Sequence, residues 1–349
     1  MTRPHPRPVR GAPEDPADTI GAVGEFGLIS RVTARAGTAR LAEVGPGDDA
    51  AVLRAPDGRV VACTDVLVEG RHFRRDWSSA EDVGHKAAAA NLADVAAMGA
   101  VPTALLVGLA CPADTPAGWL EGVAAGMAAE CAPFGAAVVG GDTSASAPGS
   151  GAVVLSVTAL GDLGGRAPVL RSGARRGDVL AVAGRLGWSA CGLAVLQRGF
   201  RSPAAAVAAH RRPAPPYEAG PQAADAGATA MCDVSDGLLA DAGHLAVASA
   251  VRIDLDVAAL RTAFVDTPGP LQQVAAALGG DPLAWVLTGG EDHALVATFP
   301  PGAPLPEGWA RIGAVGEPDA TGAGVHVDGV PAERYAAETG GAPGHVHFG

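Results

Sequence analysis

Apolar and polar positions alternate in a way that marks out helices and strands before any chemistry is considered. A helix start is expected at Gly24-Glu25-Phe26-Gly27-Leu28-Ile29, where Phe26, Leu28, Ile29 and Val32 are the apolar positions. Val44 to Asp49 reads as a turn feeding a short strand, Ala50 to Leu53, and Pro56-Asp57-Gly58 as a hairpin-type turn. Val60 to Cys63 reads as the next strand, ending at Thr64-Asp65. Ser78-x-x-Glu81 has the form of a capping box opening a helix to about Met98, with Gly99 as its stop. A further helix is expected over Pro116 to Cys131. A strand over Ala136 to Val139 runs into Gly140-Gly141-Asp142, and a long strand covers Ala152 to Leu160. Glycines cluster between Gly161 and Ala167 and suggest a domain boundary there. Beyond it the pattern predicts a strand over Val179 to Ala183, a helix over Ser189 to Gln197, a Pro-rich bend from Arg211 to Pro216, and a helix over Leu238 to Ala248. Val286-Leu287-Thr288 leads into Gly289-Gly290-Glu291-Asp292. The mixture reads as α/β, of the α+β kind, in each half.

Length and composition narrow the class. The chain has 349 residues, 48% hydrophobic and 18% charged, which suits two globular domains. Aromatic residues make up only 4%, so alanine, valine and leucine must build the core. The formal net charge of -12 argues against nucleic acid held by a general positive field. It leaves room for a phosphate substrate if metal ions supply positive charge. Lys86 is the only lysine, and no Gly-Lys-Ser/Thr triplet exists, which excludes a lysine-bearing phosphate loop. Cys63, Cys111, Cys131, Cys191 and Cys232 form no Cys-x-x-Cys pair. Scattered thiols of this kind suggest a reducing, cytoplasmic setting. No apolar run is long enough to predict a membrane span. Residues 1–19 are rich in Pro and Arg, lack an apolar signal core, and are expected to be a disordered tail.

One motif recurs. A short apolar run meets glycine and one or two carboxylates, as Gly47-Asp48-Asp49, Cys63-Thr64-Asp65, Gly141-Asp142, Asp233-x-x-Asp236-Gly237 and Gly290-Glu291-Asp292. Asn91-x-x-Asp94 adds a helical pair on one face. Any single Asp beside Gly is ordinarily a turn residue, so the argument rests on repetition. Converging carboxylates repel one another and call for a cation. Mg²⁺ suits such a set, because it binds through a few carboxylates, water and substrate phosphates. Phosphoryl transfer asks mainly for positioning and charge neutralisation, and Arg171 in a tight polar turn is a candidate for part of it.

These residues resemble the thiamine-monophosphate kinase family. The matching segments are Gly24-Glu25-Phe26, Gly47-Asp48-Asp49, Thr64-Asp65-x4-Gly70-x-His72-Phe73, and Lys86-x4-Asn91-Leu92-x-Asp94-x-x-Ala97-Met98-Gly99-Ala100. They continue with Gly140-Gly141-Asp142-Thr143, Arg171-Ser172-Gly173-Ala174, Asp233-x-Ser235-Asp236-Gly237-Leu238 and Gly289-Gly290-Glu291-Asp292. The resemblance implies a fold like that of aminoimidazole ribonucleotide synthetase. Its two domains would cover residues 20–163 and 164–349, with the N-terminal domains paired in a homodimer. It implies transfer of the ATP γ-phosphoryl group to thiamine monophosphate, with several Mg²⁺ ions. By the same resemblance Asp49, Thr64, Asp65, Asp94, Asp142, Asp233 and Asp236 would form the metal sites. Gly141, Asp142, Arg171 and Ser235 would contact ATP, and His72, Glu291 and His345 the thiamine phosphate. No general base is required, because the attacking phosphate oxygen is already largely ionised.

Three positions depart from the family pattern. Cys63 stands where an oxygen-bearing residue is usual, His293 where an aromatic follows Gly-Gly-Glu-Asp, and His345 where an aromatic packs near the substrate. Other members of the superfamily fit less well. A selenophosphate synthetase would need a reactive cysteine before Cys63, and the hydrogenase-maturation relative ends in cysteine, whereas this chain ends His347-Phe348-Gly349. Aminoimidazole ribonucleotide synthetase itself is a further alternative. A non-catalytic divalent-metal protein would need neither His72 nor Arg171, and the EF-hand pattern is absent.

Overall fold

A computed structural model describes residues 18–46, 50–146, 151–320 and 322–339. Thr19 opens the first helical segment, its hydroxyl accepting from the Ala22 N–H. Two helices follow, α1 (Ile20–Val23) and α2 (Glu25–Thr33). Strands β1 (Ala42–Val44) and β2 (Val52–Leu53) pair antiparallel. Then come β3 (Val61–Val68), α3 (Ala80–Ala97), β4 (Val101–Cys111), α4 (Ala117–Cys131), β5 (Val138–Ala145) and β6 (Val154–Asp162). The last four strands form a sheet in the order β3-β6-β4-β5, with β4 and β5 parallel and the other pairs antiparallel.

Helices cover one face of this sheet. Leu67, Leu105, Leu155 and Val157 point into a core built with Val83, Leu92, Val123 and Met127. Side chains one residue out of step face the other way. There Val66 and Leu106 remain 48% and 37% exposed, so this face is open. Ala39, Ala104, Ala137 and Val139, with Ala42 and Leu53 beside them, cover one end of it.

After Asp162 the chain crosses to a second sheet. Its elements are β7 (Val179–Ala183), α5 (Trp188–Gln197), α6 (Ala204–Arg211), α7 (Ala219–Asp225), β8 (Ala230–Val234), α8 (Leu238–Ser249), β9 (Arg252–Leu255), α9 (Val257–Leu260), α10 (Pro270–Leu278), α11 (Pro282–Thr288), β10 (Ala294–Phe299), β11 (Trp309–Gly316), β12 (Gly324–Val327), β13 (Val330–Pro331) and α12 (Ala332–Thr339). The seven strands run β13-β12-β9-β11-β7-β10-β8. On one face Leu180, Val182, Cys232, Val234 and Val296 pack against Leu238, Leu245 and Val286. On the other face Ala181, Ala183, Met231, Leu295 and Phe299 meet Ala96 and Ala97 at the end of α3. Helix α3 therefore belongs to two cores. Its many alanines let a sheet approach closely on either side.

Several expectations are corrected. Thr64-Asp65 does not end a strand: β3 continues to Val68 because Val66 and Val68 extend the ladder with Ser156 and Val154. Gly140-Gly141-Asp142 does not follow the strand expected over Ala136 to Val139 but lies in the middle of β5, paired with Leu106, Val107 and Gly108. A Cβ on Gly141 would lie 2.1 Å from the Val107 carbonyl, so the close β4–β5 approach requires glycine there. The capping box is one residue later than expected. Ser79 accepts from the Asp82 N–H at 3.2 Å, and Asp82 accepts from the Ser79 N–H at 2.9 Å. Asp82 at the third helical position does what Glu81 was expected to do. Pro56-Asp57-Gly58 does turn, but the strands on either side of it belong to different sheets. Asp18, expected within the tail, is tied to the fold: its carbonyl accepts from the Ala117 N–H. Asp49 and His345 lie outside the described residues.

Candidate active site at the junction of the two sheets

Asp65 lies on β3, an edge strand whose outward N–H groups need partners. Asn91 Oδ1 accepts the Asp65 N–H at 3.1 Å, and Asn91 Nδ2 donates to the Ala87 carbonyl at 3.0 Å. Asn91 is therefore the tether between β3 and α3, and its neighbour one turn on, Asp94, is held beside Asp65. Cys63 Sγ sits 3.3 Å from the Asn91 carbonyl in the same corner. Burial, then the charges of Asp233 and Asp65, push the Asp94 carboxyl up to about 7.

The second sheet supplies Asp233 near the end of β8, where His293 Nδ1 lies 3.0 Å from Asp233 Oδ2 with both side chains buried. Burial alone would lower the imidazole, but Asp233 and the further charge of Asp94 raise it. The loop after β8 is held from behind by Asp241. Its Oδ2 accepts the N–H groups of Asp236 and Gly237 at 3.0 and 3.1 Å. Burial and the nearby Asp233 push Asp241 up to about 7 despite those donors.

A second loop, Gly289 to His293, docks onto the first. The Glu291 N–H donates to the Ser235 carbonyl at 2.8 Å, and the His293 N–H to the Val234 carbonyl at 3.1 Å. A Cβ on Gly290 would fall 2.2 Å from the Ser235 carbonyl, so this docking needs glycine. Glu291 and His293 both have left-handed backbones, with φ of 64° and 52°. That conformation is unfavourable for such side chains and is retained where the surroundings enforce it. It turns Glu291 toward α3, where Lys86 Nζ lies 2.9 Å from its Oε1. Burial would raise Glu291, but the Lys86 ammonium, then His210, bring it down to about 2. His210 Nδ1 lies 3.1 Å from Ser189 Oγ, and burial plus Lys86 lower the ring to about 4, so it is neutral near pH 7. Lys86 Nζ also donates to the His72 carbonyl at 3.0 Å. His72 Nδ1 accepts the Val68 N–H at 2.9 Å, which assigns the proton of the neutral ring to Nε2.

The expected residues thus divide. Asp233 and Asp65 each lie near enough to Asp94 for their charges to act on its carboxyl, with Asp236 on the same loop as Asp233. His72 and Glu291 meet through Lys86. Ser235 contributes a carbonyl to loop docking. Arg171 is anchored beside β8, its carbonyl accepting from Ser249 Oγ at 3.0 Å and its neighbour Leu170 accepting from the Met231 N–H. Thr64 points away from Asp65, onto the open face of the first sheet. Its hydroxyl donates to the Val157 carbonyl at 3.0 Å and accepts from Thr158. Asp142 faces the same open side, in one row with Val66, Ser156 and Gly108. One chain therefore does not bring Asp142 or the Thr64 hydroxyl to Asp94. Among the described residues no three His, Cys, Asp or Glu side chains gather to hold an ion alone. Sequence reasoning missed His210, Asp241 and the role of Lys86, and treated His293 only as a departure. Its adjacency to Glu291-Asp292 was the available signal.

Known proteins of similar sequence and structure point to one family. The family described as AIR synthase related protein, N-terminal domain, matches residues 47–163. The chain is 51% identical over 297 residues to a thiamine-monophosphate kinase of Mycobacterium tuberculosis, covering 85% of this chain and 86% of that protein. It is similar in structure to the thiamine-monophosphate kinase of Stenotrophomonas maltophilia K279a, with a TM-score of 0.75, 33% identity and 88% and 98% coverage of the two chains. It is similar also to AaThiL complexed with AMPPCP and TMP, with a TM-score of 0.73, 33% identity and 93% and 97% coverage. With this identity spread over most of both chains, the protein belongs to the thiamine-monophosphate kinase family.

Proposed function

We infer that this chain transfers the γ-phosphoryl group of ATP to thiamine monophosphate, giving thiamine diphosphate and ADP. The observation that carries the reading is the meeting of two unlike groups at one junction. The carboxylates Asp65, Asp94 and Asp233 lie on one side, and Lys86 with Glu291, His210 and His72 on the other. It is supported by the relatives named as thiamine-monophosphate kinases and by AaThiL, described in complex with AMPPCP and TMP. An oxygen of the acceptor phosphate attacks the γ-phosphorus, and the bond to the β-phosphate oxygen breaks. The acceptor oxygen is already largely ionised, so no side chain has to remove a proton from it.

The carboxylate cluster fits Mg²⁺. Its donors are hard oxygens, and burial, then the charges of Asp233 and Asp65, raise Asp94, a penalty that a bound cation would offset. Asp65, Asp94, Asp233 and Asp236 would hold the metal, which supplies positive charge where two polyanions must approach. Ser235 and Arg171 would face the nucleotide, and His72 and Glu291 the acceptor. We read residues 20–163 and 164–349 as the two domains, which the division of sheets and cores supports. We further propose a homodimer through the open face, where Val66 and Leu106 are exposed apolar residues on a sheet. Gly141, Asp142 and Thr64 would then belong to that interface. A cytoplasmic location accords with five unpaired thiols. Among the described residues no helix is long and apolar enough to cross a membrane.

The test of the reaction is ³¹P NMR of protein, ATP, Mg²⁺ and thiamine monophosphate. A new diphosphate signal matched by ADP supports it. ATP consumption without that signal, or no consumption, refutes the acceptor.

A further inference from the structure

We propose that Lys86 is a positioning residue that ties the His72 loop and the Glu291 loop into one acceptor-binding unit across the two sheets. The inference rests on the acceptor reading above and extends it to a residue outside the expected site.

Composition singles this residue out. The chain has 25 Lys and Arg residues together, and only one of them is lysine. Arginine serves everywhere else, mostly at exposed positions among the described residues, while the one ammonium is 5% exposed inside a helix that belongs to two cores. A compact ammonium donates in three directions from one point, whereas a guanidinium is a wide planar fork. Two of those directions are assigned. One reaches Glu291 Oε1 at 2.9 Å, and the other the His72 carbonyl at 3.0 Å.

The two partners of Lys86 come from different sheets. His72 follows β3 in the first sheet, and Glu291 precedes β10 in the second. The Lys86 side chain touches both. The Glu291 backbone is left-handed, so its orientation is not set by local preference and needs an external partner. The His72 ring is oriented through Nδ1 by the Val68 N–H, and its carbonyl by Lys86, so both ends of that residue are fixed. Neutral His210 lies 3.6 Å from the second Glu291 oxygen and adds no competing charge. Among the described residues Lys86 makes no hydrogen bond or ion pair with Arg171 or Ser235, on the nucleotide side of the junction, so its loss should be felt by one substrate.

The experiment is steady-state kinetics with ATP and thiamine monophosphate varied separately, on wild type, Lys86→Met, Lys86→Arg, Glu291→Gln and the double variant Lys86→Met/Glu291→Gln. Expected for Lys86→Met is a rise of at least tenfold in KM for thiamine monophosphate, with KM for ATP within twofold. Lys86→Arg should fall between wild type and Lys86→Met. The double variant should be no worse than Lys86→Met, because both changes remove one unit. If Lys86→Met does not fold, Lys86→Arg and Glu291→Gln carry the same comparison. A merely structural lysine would lower the melting temperature and leave the ratio of the two KM values unmoved, and that result overturns the proposal. Multiplicative losses in the double variant overturn it as well. Wild-type enzyme that turns over with unmoved Lys86 variants rejects this inference alone, whereas wild type that leaves thiamine monophosphate unphosphorylated rejects the acceptor reading together with it.

Discussion

His293 Nδ1 lies 3.0 Å from Asp233 Oδ2, and the two side chains are 7% and 4% exposed as whole residues. An imidazole in this place orients a carboxylate proposed to hold metal and balances its charge. His293→Ala should leave Asp233 buried without that partner, at a cost of about 3 kcal/mol in stability. It should also raise the Mg²⁺ concentration needed for half-maximal rate by about tenfold. Urea unfolding and a Mg²⁺ titration of the rate measure the two effects separately. An unchanged Mg²⁺ requirement would remove His293 from the site.

Asp94 should show function and stability pulling apart. Its carboxyl is pushed up to about 7 by burial and by Asp233 and Asp65, so ionising it opposes folding when no cation is bound. Its contribution disfavours the folded state increasingly from its ordinary range up to about pH 7, and fully above that. Asp94→Asn should therefore melt at a higher temperature than wild type in EDTA at pH 8, by several degrees, while losing at least about a thousandfold in rate. Differential scanning calorimetry with and without Mg²⁺ checks this. Wild type should gain stability from the ion and the variant much less.

Asp292 offers a pH signature away from the proposed metal ligands. Its Oδ1 accepts the Ser189 N–H at 2.9 Å, while Oδ2 has no hydrogen-bond partner among the described residues. Burial raises the carboxyl to about 7, with Ser189 the largest opposing influence. In the unfolded chain it ionises near its ordinary value, so wild type loses stability as pH rises through that interval. At about 1.4 kcal/mol per pH unit the full loss is on the order of 4 kcal/mol. Asp292→Asn lacks this term. The stability of wild type minus that of the variant should fall between about pH 4 and 7 and stay level above, as read from urea unfolding at closely spaced pH values. A difference that does not change with pH would contradict the assignment.

The proposed dimer face is tested where the sheet is bare. Val66 and Leu106 are exposed on strands β3 and β4, and an acidic substitution there touches no packed core. Val66→Asp and Leu106→Asp should each fold yet shift the protein from dimer toward monomer, with at least a tenfold weaker self-association in sedimentation velocity. Wild type that sediments as a monomer at micromolar concentration would reject the face outright.

Much of this arrangement was legible along the chain, and the part that was not has a physical cause. The acidic loops were visible because glycine beside carboxylate at the end of an apolar run is a local signal. Which of them converge is not local. Thr64 and Asp65 are neighbours in sequence, yet the two-residue period of a strand sends them to opposite faces. Reading Thr64-Asp65 as a strand end hid that alternation. The same error at Gly141-Asp142 hid the fact that Asp142 shares a face with Val66 rather than with Asp65. Lys86 was noted as the only lysine and placed within a motif, but its pairing with Glu291 spans most of the chain, and no spacing rule reports it. The Ser79-Asp82 cap was missed by one residue because Ser78 and Ser79 both satisfy the pattern, and only the hydrogen bonds distinguish them.

Helix α3 is packed into both cores, and this limits how the protein can move. A hinge needs a segment that few contacts cross, but here the element between the sheets is a helix buried along most of its length. Rotating one sheet away from the other would expose the alanines on one flank of α3 and separate Asp94 from Asp233 and Lys86 from Glu291 together. Substrate entry must then come from loop displacement or small sliding of packed layers, with the helix serving as a fixed axle. Unfolding of such a frame should follow one cooperative transition in which neither half outlasts the other.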